Sequence, residues 1–205
     1  MGLNGSEHGK PGASKDQTYP VEILSPEEVK ALMNAQNKGA TGTRNKALIA
    51  LMYRSGLRIA EALDLYAKDI DLEHNTIRVL HGKGDKARTI GVDDGALRFL
   101  EAWVTKRQGL GLNGKQPLFC QLDGEPLAQS AVRESLKRSA AKAGIEKRVT
   151  PHGLRHTHAA ELAQERVPMN LLQAQLGHSS IHTTDRYIKH IAPMEVVEAI
   201  KSREW

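Results

Sequence analysis

His152 and Arg155 stand three residues apart in Pro151-His152-Gly153-Leu154-Arg155-His156, a spacing that puts both on one face of a helix. Further along come Leu176-Gly177-His178 and then Tyr187; upstream lie Arg58, in Gly56-Leu57-Arg58-Ile59-Ala60-Glu61, and Lys83, in His81-Gly82-Lys83-Gly84-Asp85-Lys86. These side chains suit attack on a phosphodiester without metal. An arginine fork holds two phosphate oxygens at once, and two such donors stabilise the charge that a pentacoordinate phosphorus gathers on its non-bridging oxygens. A tyrosine phenol is a poor nucleophile near neutral pH, so it needs neighbouring cations or a base to release its proton. His178, after the expected helix cap Gly177, is placed to donate a hydrogen bond to the phosphate or the nucleophile.

Plainer readings compete for each piece. A single His-x-x-Arg is usually an ordinary basic helix face, and an Arg58–Glu61 surface pair adds little stability. Here Leu154, Ala159, Ala160 and Leu162 supply a packing side, and Thr150-Pro151 puts His152 near a helix N-terminus, where anions bind readily. Lys83 sits between two glycines at a turn that can approach a ligand closely, with Lys86 and Arg88 as close competitors. Of four tyrosines, Tyr19 is in a polar tail, Tyr53 lies on an expected core helix and Tyr66 ends another, leaving Tyr187 with the right neighbours. His152 and His156 have a spacing that zinc sites use, but no carboxylate or cysteine at ligand spacing completes the set. Acidic residues are dispersed, against a two-metal nuclease, and no phosphate-binding G-x-x-x-x-G-K-[ST] loop occurs.

The composition agrees with a polyanionic partner. Lys and Arg total 29 against 24 acidic residues, a net charge of +5 over 205 residues. That length suits one domain with a tail. The single cysteine, Cys120 in Leu118-Phe119-Cys120, excludes an internal disulfide and reads as a core residue. No apolar run approaches a membrane span and the start has no signal-peptide pattern, so the expected compartment is the cytoplasm.

The elements that must position the site can be drawn from local signals. Residues 1–20 read as a flexible tail. Ser25-Pro26-Glu27-Glu28 is a capping box that opens a helix to about Asn34. Ala47, Leu48, Leu51 and Met52 mark a second helix that Gly56 ends, and a third runs from Arg58 to Leu65. Thr76–Leu80 and Ala87–Ile90 flank a Gly-Lys-Gly-Asp turn and predict a hairpin. Further helices are predicted near 93–107, 128–143, 152–165, 168–176, 180–189 and 194–202. The expected class is mainly α with a small antiparallel β-sheet, an α+β domain.

This order of Arg, Lys, His-x-x-Arg, His and Tyr resembles the tyrosine recombinases, the family of phage integrases, Xer proteins and fimbrial-switch invertases, many borne on mobile genetic elements. The resemblance covers residues 21 to about 200, so 21–205 is expected to be a tyrosine recombinase catalytic domain, the fold of DNA breaking-rejoining enzymes. The N-terminal core-binding domain that many members carry is expected to be absent. The resemblance implies site-specific cleavage and rejoining of DNA through a 3′-phosphotyrosyl intermediate on Tyr187, with no cofactor, metal or ATP. It makes Arg58, Lys83, His152, Arg155 and His178 catalytic, with Lys83 the general acid on the departing 5′ oxygen and Glu61 a support for Arg58. Lys86 and Arg88 would meet DNA, and both Arg58 and Arg155 would lie in an open cleft. The implied partner is double-stranded DNA carrying recombination sites, bound by a homo-oligomer, with no membrane. Apolar Val196, Val197 and Ile200 mark Met194–Lys201 as a short helix that either docks on a neighbouring protomer or packs on its own domain. A regulatory DNA-binding protein with the same fold and a topoisomerase-like relaxing enzyme are the alternatives.

Overall fold

Ser25 opens the first helix, α1 (Pro26–Asn34), by two reciprocal bonds. Its hydroxyl accepts from the Glu28 N–H at 3.2 Å, and the Glu28 carboxylate accepts from the Ser25 N–H at 2.7 Å. Lys147 also reaches Glu28, at 2.7 Å, and ties this start to the chain ahead of the His-x-x-Arg helix. The computed structural model describes residues 22–80, 87–177 and 201. The expected helices at 180–189 and 194–202 lie outside them, except for Lys201, which is helical.

The central element is α2 (Ala40–Ser55), whose run from Ala47 to Tyr53 is buried throughout. It begins earlier than its apolar signal because Gly39 to Asn45 carries little that is apolar. Gly56 ends it in the left-handed conformation, at φ 65°, with its N–H on the Met52 carbonyl. A side chain could not stand there: a Cβ would come within 2.6 Å of His158 Cδ2 and 2.7 Å of Leu176. Then follow the short helix α3 (Ile59–Leu63) and a single 3-10 turn, Ala67–Asp69.

Three antiparallel strands lie in the order β1 (Ile70–Asp71), β2 (Thr76–Val79) and β3 (Arg88–Gly91). Ile77 faces Ile90, and both are buried; Val79 faces Arg88. The hairpin expectation is thus met in β2–β3. The two residues of β1, too short to leave a periodic signal, are held by pairing with Thr76 and Ile77.

Helix α4 (Asp94–Gly109) starts at Asp93, which caps the Ala96 N–H; it packs against α2 and buries Leu97, Leu100 and Trp103. Helices α5 (Gln129–Lys142), α6 (Pro151–Gln164) and α7 (Met169–Leu176) complete the described residues. The core runs through Leu32, Leu51, Leu57, Leu100, Trp103, Phe119 and Leu154, with Cys120 buried as a free thiol. No described helix is long and apolar enough to cross a membrane.

Candidate active site

Two helix ends and one helix start meet where the sequence placed its arginines. Gly56 turns the chain out of α2, Leu57 buries, and Arg58 becomes the extended residue before α3. The Arg58 N–H donates to Glu61 Oε2 at 2.9 Å and its NH1 to Glu61 Oε1 at 2.7 Å. Its NH2 reaches the Gly177 carbonyl at 3.4 Å, and the side chain remains 30% exposed. Glu61 is buried beneath it. Burial pushes its carboxyl up, but the bonds and charges of Arg88 and Arg58 outweigh that and hold it below the usual carboxylate range.

Arg155 approaches the same point from α6. Thr150 caps this helix by accepting the Gly153 N–H at 2.9 Å, and Pro151 occupies its first turn. Arg155 donates through NH1 to the Gly56 carbonyl at 2.5 Å and through NH2 to the Leu176 carbonyl at 2.7 Å. Both acceptors are carbonyls at helix C-termini, where the backbone dipoles favour a cation. The expectation that both arginines lie in an open cleft therefore needs correcting for Arg155, which is only 2% exposed. Carbonyls that would otherwise lack partners draw its guanidinium inward.

His152 is exposed in the first turn of α6. Its pKa is lowered from the ordinary imidazole value by partial burial of the ring, then by the positive charges of Arg155 and Arg58. The ring is thus neutral near pH 7, with one N–H and one lone pair. Its Nε2 lies 2.7 Å from Nε2 of His156, the two rings meeting edge to face. Among the described residues no group of three His, Cys, Asp or Glu side chains is arranged to hold a metal ion.

The structure therefore brings Arg58, Glu61, His152 and Arg155 together from separate segments. Lys83, Lys86, His178 and Tyr187 lie outside the described residues. Arg88, expected to meet DNA, faces inward onto Glu61, with its NH1 and NH2 at 3.0 and 2.9 Å from the two carboxylate oxygens. Strand alternation carried that signal, since Arg88 shares a face with buried Ile90 two residues on. Gln175 left no such trace. Its amide accepts from the Gly91 N–H at 3.1 Å and donates to the carbonyls of Gly91 and Ser55, fixing α7 against β3 and the end of α2.

The solved XerA recombinase aligns with 89% of this chain at a TM-score of 0.77 and 30% identity, the chain covering 66% of it. A second, XerH bound to palindromic difH substrate in a post-cleavage complex, aligns with 91% of the chain at a TM-score of 0.73 and 30% identity, with 55% of XerH covered. Tyrosine recombinase XerD of Staphylococcus aureus is 31% identical over 184 residues, 88% of this chain. The chain spans 61% of that relative's length. A mostly helical domain with this small sheet has the catalytic-domain fold of the tyrosine recombinases. The phage integrase family model matches residues 22–192, and the chain belongs to that family.

Proposed function

We propose that the chain cleaves and rejoins DNA strands at specific recombination sites, with Tyr187 as the nucleophile. The Tyr187 oxygen attacks the scissile phosphorus while Arg58 and Arg155 hold its non-bridging oxygens. Neutral His152 has a lone pair for the phenol proton. The bond to the 5′ oxygen breaks, Lys83 gives that oxygen a proton, and a 3′-phosphotyrosyl link remains. His178 donates a hydrogen bond to the phosphate. A 5′-hydroxyl from a partner strand then attacks the same phosphorus and releases the tyrosine. The covalent link conserves the energy of the phosphodiester, so neither ATP nor metal enters the balance. Lys86 meets a phosphate beside the hairpin. Two or more copies act together on paired half-sites, joined through the segment from Met194, and the enzyme works on DNA in the cytoplasm.

One observation carries this reading. Arg58 and Arg155, 97 positions apart by their numbers, converge on the carbonyls of Gly56, Leu176 and Gly177, and the next residue in the chain is His178. The solved XerH complex, named for its difH substrate and its post-cleavage state, supports DNA as the substrate.

Covalent capture tests the reading. A pool of nicked duplexes with a randomised core, incubated with the full chain, should yield an adduct that survives denaturation. Tyr187→Phe keeps the ring and removes the attacking oxygen, so it should retain binding and form no adduct. An adduct undiminished in that variant would refute the assignment of the nucleophile. Binding without any adduct from the wild-type chain would leave a regulatory DNA-binding protein.

A further inference from the structure

Glu61 sits under two arginines rather than one. Arg58 brings its backbone N–H to Oε2 at 2.9 Å and NH1 to Oε1 at 2.7 Å. Arg88 lies against the same carboxylate fork to fork, NH1 to Oε1 at 3.0 Å and NH2 to Oε2 at 2.9 Å. Four donors fill the roughly four acceptor directions that a carboxylate has. Exposure is graded across the group: the Glu61 side chain is 3% exposed, Arg88 13% and Arg58 30%.

Gly177 closes the group from the side of α7. A Cβ there would fall 2.7 Å from both Cζ and Nε of Arg88, so the bare glycine backbone lies directly on the guanidinium. Arg88 Nε is buried there without a hydrogen-bond partner among the described residues. One buried carboxylate thus joins the hairpin stem to the start of α3, and the end of α7 rests on the two arginines it holds.

Resting on the recombinase reading above, we propose that Arg88 is a positioning residue that sets the pose of the Arg58 clamp. A carboxylate facing a single guanidinium tends to take it with both oxygens. Without Arg88, Glu61 would close on Arg58 in that way, drawing its guanidinium inward and occupying donors that the phosphate needs. With Arg88 holding the fork, Arg58 lends one edge to Glu61 and keeps its exposed edge for the phosphate. Two guanidiniums against one carboxylate also leave a net positive charge at the place where the phosphate binds. Arg88 need never touch DNA to act in this way.

The test separates a positioning role from a phosphate contact and from a role in folding alone. Using a nicked duplex selected by the wild-type chain's own covalent capture, single-turnover cleavage is compared in wild type, Arg88→Met and Arg88→Lys. Arg88→Met should lower the cleavage rate on the order of 10²-fold, the scale of a misplaced reacting group. Its affinity for a mixed-sequence 30-base-pair duplex should keep the wild-type salt slope, because no phosphate contact is lost. Adding Glu61→Gln to Arg88→Met should restore part of the rate, since a neutral amide no longer pulls on Arg58; a merely structural defect would not be rescued in this way.

A salt slope shallower by about 0.9 in Arg88→Met would mark a lost phosphate contact and overturn the inference. Wild-type cleavage by Arg88→Met, or a double variant slower than the single one, would overturn it too. Should Arg88→Met fail to fold by circular dichroism, Arg88→Lys carries the same test. It keeps the charge but loses the fork, so slowed cleavage with an unchanged slope supports the inference and wild-type cleavage refutes it. If the wild-type chain captures no duplex at all, the recombinase reading falls and takes this inference with it; failure in the variants alone removes only the inference.

Discussion

His158 should make this domain sensitive to acid, by an amount that follows from its surroundings. The ring is buried on α6, one turn beyond Arg155, against Gly56 and Leu176. Its Nε2 has no hydrogen-bond partner among the described residues. Burial lowers its pKa to about 4, helped by the charges of Arg54 and Arg155 and opposed by Asp93 and a hydrogen bond to the Tyr53 backbone. Arg54 is itself engaged with Asp93 and Glu161, and Glu161 also takes the Tyr53 hydroxyl, so the acidic groups nearby already have partners.

The unfolded chain then binds a proton at His158 near the ordinary value of 6.5 while the folded chain does not. Stability contributed by the neutral ring is present above that value and is lost as pH falls toward 4. A shift from 6.5 to about 4, at 1.36 kcal/mol per unit, amounts to about 3 kcal/mol. The comparison to make is urea unfolding of wild type and His158→Phe at a series of pH values from 7 to 4. The wild type should lose about 3 kcal/mol more than the variant over that range. Parallel stability curves would show that His158 titrates alike in both states and would refute the reasoning.

Arg155→Met should lose both cleavage and stability, because the carbonyls of Gly56 and Leu176 lose a charged donor. Thermal unfolding should report a loss of about 2–3 kcal/mol, and an unchanged midpoint would show that water replaces those bonds without cost. Gly177→Ala meets both a left-handed backbone, at φ 62°, and the Arg88 guanidinium. It should destabilise the domain by about 1 kcal/mol or more and slow cleavage, whereas a stable and fully active variant would show that Arg88 can swing aside. His152 has a lowered pKa, so its lone pair persists below the ordinary imidazole range and is lost only at lower pH. The acid limb of single-turnover cleavage should therefore be centred below pH 6.5; a fall centred above 6.5 would rule out His152 as the acceptor.

Much of the frame was legible because its causes are local. The Ser25 capping box, the helix stop at Gly56 and the two short strand runs at Thr76 and Ile90 each involve neighbours a few residues apart, and each formed an element where it was expected. The His-x-x-Arg spacing likewise put His152 and Arg155 on one helix. The strand β1 escaped notice because two residues have no period of their own; only the register against Thr76 and Ile77 makes them a strand.

The sequence by itself determined, through helix caps and local spacing, the elements on which Arg58, His152 and Arg155 sit. The tertiary structure alone decided how those side chains divide their labour. Arg155 is buried because carbonyls from two other helices, at Gly56 and Leu176, needed a donor. Arg88 turns from the expected DNA surface because a buried carboxylate under Arg58 had room for a second fork. An arginine reads the same in any sequence. Whether it faces solvent, a phosphate or Glu61 depends on which acceptors distant segments bring within about 3 Å, and that is a property of packing.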